Sequence, residues 1–181
     1  FGDFGAGFAQ ALELEDQIFA RIVTFGKALG CHGAAVVGSI ELKEYLINFA
    51  RSLIYTTALS PHAVATIFQA YKQLESDMYS RALLRENILH FNQEKILLGL
   101  KPIFVRSKSA IQSAIIPGNE NVKSIARRIQ ERGFDVRAIL SPRVPEGQER
   151  LRFCIHSNNS KKEISAVLQL LSSLIFQDQR H

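Results

Sequence analysis

Cysteine is scarce: the 181 residues hold two, Cys31 and Cys154, far apart and neither in a metal-like pair. That scarcity excludes a disulfide framework, leaves no cysteine metal site, and makes a reducing, cytoplasmic setting the expectation. No apolar run approaches the roughly 18 residues of a membrane-spanning helix, and no basic-then-apolar leader opens the chain. Concentrated charge is missing too. The net charge is +5 and the pI about 9.4, but the densest basic stretch, 123–132, reads as the polar face of a helix. A nucleic-acid surface would interleave its cations with aromatics on one face, so neither nucleic acid nor membrane is an expected partner. An initiator methionine is also absent, and the opening Phe1-Gly2-Asp3-Phe4-Gly5-Ala6-Gly7 is that expected of a fragment or a processed chain.

What is present is an ordinary globular composition, 46% apolar and 22% charged, in a chain long enough to bury a core in one or two domains. The first dozen residues read as a glycine-rich loop. Residues 18–25 read as a buried strand and 34–38 as a second. Ser39 is placed to cap a helix carrying Leu42, Tyr45, Leu46 and Phe49 at helical spacing. Residues 53–57 read as strand or extended loop, and Ser60-Pro61 as a helix start. From 61 to about 100 the pattern is helical, in one long or two consecutive helices joining two domains. Beyond Pro102 strands are expected at 111–116, 134–140 and 150–157. A helix with Val122, Ile125 and Ile129 inside stops at Gly133, and a last one opens on the capping box Ser160-Lys161-Lys162-Glu163. This second half reads as a small α+β domain.

The residue of most chemical interest is Lys27, in Thr24-Phe25-Gly26-Lys27-Ala28-Leu29-Gly30 at the end of the first strand. A lysine that bonds a cofactor aldehyde must reach it and lose its proton readily, and bare glycines let backbone approach a ligand. Thr24 could offer its hydroxyl to a cofactor phosphate. A nucleotide phosphate loop fails here, because Arg21 stands where its first glycine is needed and Ala28 where a hydroxyl must follow the lysine. Local pattern alone leaves two readings of Lys27 open, covalent attachment or a lysine snorkelling from a strand end. His32, His62, His90, His156 and His181 have no companion at metal spacing, and no metal is expected.

The segments 24–30 and Gly33-Ala34-Ala35, then Arg51-Ser52-Leu53-Ile54-Tyr55-Thr56-Thr57-Ala58-Leu59-Ser60-Pro61, then Val144-Pro145-Glu146-Gly147 with Arg150-Leu151-Arg152, lie in one register along the chain. Together they resemble the α-oxoamine synthases, fold-type-I pyridoxal 5'-phosphate enzymes that condense an amino acid with an acyl thioester and release CO2. The resemblance implies an α/β plus α+β fold: residues 1–75 as the end of the large cofactor domain, 76–100 as a linking helix and 101–181 as the small C-terminal domain. It implies that Lys27 carries the cofactor aldehyde and removes the α-proton of L-alanine, and that Thr24 binds the cofactor phosphate. Thr56 and Thr57 would reach the phosphate across a homodimer interface, and Arg152 would hold the substrate carboxylate. Without the family context, Arg152 reads equally as a surface arginine at a strand edge. The acyl donor expected from the best-matching member is a pimeloyl thioester, on CoA or a carrier protein, in biotin synthesis. A glycine-using member, or a non-catalytic interaction domain, are the alternatives. Complete members also carry, ahead of the position of Phe1, the aspartate that pairs with the pyridinium nitrogen and the histidine that stacks on the ring. The 181 residues alone are therefore expected to be inactive and to hold no stable cofactor.

Overall fold

Single hydroxyls decide where several helices begin. Ser39 Oγ accepts the Leu42 N–H at 3.2 Å ahead of a helix over Ile40–Phe49, and Ser60 Oγ accepts that of Ala63 at 3.2 Å ahead of one over Pro61–Ser76. At Ser160 the capping box closes in both directions. Its N–H donates to Glu163 Oε2 at 2.8 Å, and its Oγ accepts the Glu163 N–H at 3.2 Å, before the final helix Lys161–Gln177.

The computed structural model describes residues 1–2 and 4–177; Asp3 and residues 178–181, His181 among them, lie outside. The chain divides into two units, Phe1–Met78 and Tyr79–His181. The first contains α1 (Phe8–Ala11), β1 (Ala20–Thr24), β2 (Ala34–Gly38), α2 (Ile40–Phe49), α3 (Arg51–Ile54) and α4 (Pro61–Ser76). β1 and β2 form an antiparallel pair with Thr24 opposite Ala34 and Ile22 opposite Val36. The hairpin differs from expectation in its burial: Ile22 is 75% exposed, because the unit's own elements do not cover β1. Two local expectations also change. A helical turn, α1, interrupts the glycine-rich opening. The stretch expected as extended chain at 53–57 starts inside α3, where the Leu53 and Ile54 N–H groups both bond back to Ala50 O at 2.9 and 3.0 Å. Local helical bonding there outweighs the apolar, extended-looking composition.

The second unit contains all but the first residue of α5 (Met78–Leu97), then β3 (Ile111–Ile115), α6 (Asn119–Gln130), β4 (Arg137–Ile139), β5 (Arg150–Cys154) and α7 (Lys161–Gln177). The helical stretch after Pro61 is thus broken at Asp77, the cap between α4 and α5. The three strands run in the order β3-β5-β4, each neighbour antiparallel, so β3, α6 and β4 make a crossover with β5 inserted between its strands. β4 is shorter than the sequence pattern implies. Val136 N–H turns back to Phe134 O at 3.1 Å, and Val136 O accepts from Gln130 Nε2 at 2.7 Å, so the chain leaves the ladder before Arg137. Alternation on β5 points Leu151 and Phe153 inward, with Arg152 and Cys154 outward. The inner face meets α5, α6 and α7 through Phe91, Val122, Ile125, Ile129, Leu168 and Leu171, all buried. Phe91, Phe104 and Phe153 close a ring triangle at 5.6, 5.8 and 5.9 Å. Full burial of each such side chain is worth about 1.5–3 kcal/mol.

Candidate active site

Two backbone bonds shape the loop that bears Lys27. Phe25 N–H donates to Gly33 O at 2.9 Å, and Cys31 N–H donates to Phe25 O at 2.8 Å, so residues 26–30 bulge outward from a closed root. Inside the bulge the Gly30 N–H returns to Lys27 O at 3.0 Å, with Gly30 at φ 61°, in the left-handed region that favours glycine. Phe25 is the apolar pin: it is buried and meets Tyr71 of α4 edge-on at 6.3 Å. Thr24 stands at the root with its side chain exposed, and the exposed Lys27 amine has no hydrogen-bond or ion-pair partner among the described residues. The Cys31 thiol donates to Leu29 O at 3.2 Å and serves the turn itself.

Gly33 links this loop to the threonine segment. A Cβ built there would lie 3.0 Å from Leu59 Cδ2, so the Leu59 side chain sits directly over the bare backbone. Thr56 and Thr57, three and two residues before Leu59, are both exposed. Leu59 over Gly33 thus links the strand pair that carries Thr24 and the Lys27 loop to the segment that follows Thr57. An amine at a loop tip, exposed hydroxyls and glycine backbone fit the aldehyde and phosphate of pyridoxal phosphate.

Arg152 belongs to the second unit, on β5, the central strand and not a sheet edge. It faces Ser113 on one side and Arg137 on the other. Arg137 is engaged by Asp135 at 3.0 Å, whereas Arg152 has no hydrogen-bond or ion-pair partner among the described residues. A groove of about 470 Å³ runs beside it, with Phe134, Val136, Phe153 and Ile155 along its apolar wall. An unpaired guanidinium beside apolar surface is suited to a carboxylate taken bidentately. Of the histidines, His90 turns out to be structural, its Nε2 lying 3.2 Å from Lys161 O and 3.0 Å from Ser165 Oγ. His32 and His62 are exposed, and His156 engages Asn159 Oδ1 through its backbone N–H at 2.8 Å. Among the described residues, no cluster of His, Cys, Asp or Glu could hold a metal, and no helix is long and apolar enough to cross a membrane.

Four buried polar residues of the second unit went unread in the sequence: Asn87, Lys95, Gln112 and Glu149. Asn87 Nδ2 donates to Asn159 O at 2.8 Å and His156 O at 3.0 Å, holding the loop after β5. Lys95 Nζ donates to Asn92 Oδ1 at 2.7 Å and Gln112 Oε1 at 3.3 Å and lies over the Phe104 ring at 5.1 Å; burial, then the nearby Lys101 charge, push its ammonium value down. Glu149 Oε2 accepts the Gly118 N–H at 2.9 Å at the start of α6, and that backbone bond leads the causes holding its carboxyl below the usual range. Strand alternation carried a signal for two of them. Gln112 is in phase with Ala114, and Glu149 with Leu151 and Phe153, all on the inner face.

Nearly the whole chain is similar to known proteins. An 8-amino-7-oxononanoate synthase of Emericella nidulans is 38% identical over 96% of this chain and 43% of its own length. The synthase of Erwinia tasmaniensis is 39% identical over 94% of this chain, again 43% of its own. The chain thus spans less than half the length of these curated relatives. Among solved structures, the 8-amino-7-oxononanoate synthase of Francisella tularensis superposes with a TM-score of 0.86 at 30% identity, over 99% of this chain and 52% of that one. A serine palmitoyltransferase from S. paucimobilis, solved with a bound PLP–myriocin aldimine, superposes with a TM-score of 0.83 at 25% identity, over 96% and 44%. These likenesses give the fold as part of a fold-type-I pyridoxal phosphate enzyme. A family model for aminotransferases of class I and II matches residues 1–171, and to that family the chain belongs.

Proposed function

We propose that this chain is part of a pyridoxal phosphate-dependent acyltransferase that condenses L-alanine with a pimeloyl thioester, on CoA or a carrier protein. The products are 8-amino-7-oxononanoate, CO2 and the free thiol carrier, a step of biotin synthesis in the cytoplasm. The observation that carries this reading is the Lys27 loop: an unpartnered amine on a bulge closed by backbone bonds, with the exposed Thr24 at its root. When bound, the cofactor supplies the electron sink for bond breaking at the substrate's Cα. Lys27 would hold the cofactor's aldehyde and move the α-proton. Thr24, with Thr56 and Thr57 across a homodimer interface, would hold the phosphate, and Arg152 would orient the substrate carboxylate. Exposure of every residue from 51 to 60 supports a segment that meets a second subunit.

The test uses the full product of the encoding gene with pyridoxal phosphate, a pimeloyl thioester and L-alanine, following free thiol. Alanine-dependent release that Lys27→Ala abolishes is expected. Faster release with glycine moves the reading to a glycine-using synthase, and no release with either overturns it. The 181 residues alone are expected to give no stoichiometric borohydride-trapped adduct at Lys27.

A further inference from the structure

Glu149 is the buried carboxylate of the second unit, 2% exposed, and no ion pair compensates it among the described residues. Its partners are backbone. Oε2 accepts from Gly118 N–H at 2.9 Å, and its own carbonyl accepts from Ile116 N–H at 2.8 Å. One residue therefore ties the end of β3 and the first turn of α6 to the root of β5. The carboxylate also sits at the positive end of α6, where an anion is favoured. Sequence phase gives this anchorage a consequence. Glu149 and Leu151 point inward, so Arg150 and Arg152 must point outward, and a slip of one residue would reverse them. Asn119, next to Gly118, holds the far loop as well, its Oδ1 accepting Ser141 N–H at 3.0 Å. Arg150, next in sequence, turns its guanidinium to Gln148 O at 3.0 Å, and Glu120 in the first turn of α6 pairs with Lys123 at 2.7 Å.

The geometry points to Glu149 as the positioning residue for Arg152: its carboxylate, bound to the α6 amide, fixes the register that sets Arg152 opposite Ser113 and Arg137. This rests on the reading of Arg152 as the carboxylate-binding group, and deepens it. The experiment is a pH titration of the 181-residue chain by two-dimensional NMR, following the Gly118 amide and the Arg152 Nε–H. Both resonances are expected to move with one midpoint, that of Glu149, below the ordinary carboxylate range. Glu149→Gln is expected to remove the shared transition from both, and Glu149→Asp to restore it in part. A transition at Gly118 that Arg152 does not share makes Glu149 a plain helix cap and overturns the proposal. So does a transition at Arg152 that survives Glu149→Gln. Acetate protection of Arg152 from phenylglyoxal, followed by peptide mass, tests the carboxylate role separately. Its absence would sink that role and leave the positional coupling of Glu149 to Arg152 to stand or fall by the titration.

Discussion

The two units bury their apolar side chains to different degrees. In Tyr79–His181 many turn inward and close one core around Phe91, Leu151 and Leu168, each 1% exposed or less, although Tyr79, Leu89 and Leu97 stand open at 74, 63 and 78%. In Phe1–Met78 only Phe25 and Ile67 are buried among the described residues, while Ile22, Ile40, Phe49 and Tyr55 stand open at 75, 72, 66 and 84%. Scattered exposed apolar residues are normal, but so many on a two-stranded hairpin and its following helices suit a surface that another element covers. The difference separates two roles. The second unit encloses a core of its own, and the first carries the Lys27 loop on a surface that its own elements leave bare.

The sharpest way to break that division is to cut the same kind of side chain in each unit. Leu151→Ala is expected to lower unfolding free energy by about 2–5 kcal/mol, with the cavity it leaves deciding where in that range it falls. Denaturant titration followed by tryptophan-free probes such as far-ultraviolet circular dichroism reads this. Ile22→Ala, in the first unit, is expected to stay within about 0.5 kcal/mol. Equal losses would end the comparison. Asn87→Ala comes next, at about 1–3 kcal/mol, because it strips the donor from the carbonyls of His156 and Asn159. Hydrogen exchange should then speed at 156–160 and not in the first unit.

Acidification sharpens the contrast further. The folded-state values of Glu149 and Glu163 lie below the ordinary carboxylate value, Glu149 through the Gly118 backbone bond and Glu163 through that of Ser160. Their contribution is therefore whole above that ordinary value, about 4.3, and is lost as pH falls from there through the lower folded values. Second-unit stability is expected to decline over that window, less steeply in Glu149→Gln. The smallest effect belongs to Lys27→Ala, whose unfolding free energy is expected to stay within about 0.5 kcal/mol. A larger loss would mean that the loop supports the fold as well as the proposed chemistry.

Helix starts were legible because each rests on one residue: Ser39, Ser60 and Ser160 all cap as their positions imply. The strands of the second unit were legible from alternation, though β4 was overread. Alternation at 134–136 says nothing about Gln130 taking the Val136 carbonyl. The exposure of β1 departs from its sequence pattern for a different reason. An apolar run states that a strand wants cover, not that cover exists within the unit. Lys27 is marked by its glycine-flanked place at a strand end, but only motifs in common register choose between its two readings, and only they single out Arg152. What stayed hidden was the buried polar scaffolding of the second unit. Asn87 bonds residues some seventy positions away, and no local pattern encodes a partner at that separation.

The order β3-β5-β4 has a consequence in time. β3 and β4 do not touch as a ladder; each waits for β5, the last strand to be made, and α7 comes later still. Because synthesis proceeds from the N-terminus, this sheet cannot begin to pair until residues 150–154 have left the ribosome. Until then Ala114 and Val122 remain uncovered by Leu151 and Leu168, and the nascent chain passes through an interval of exposure that grows with any pause late in translation.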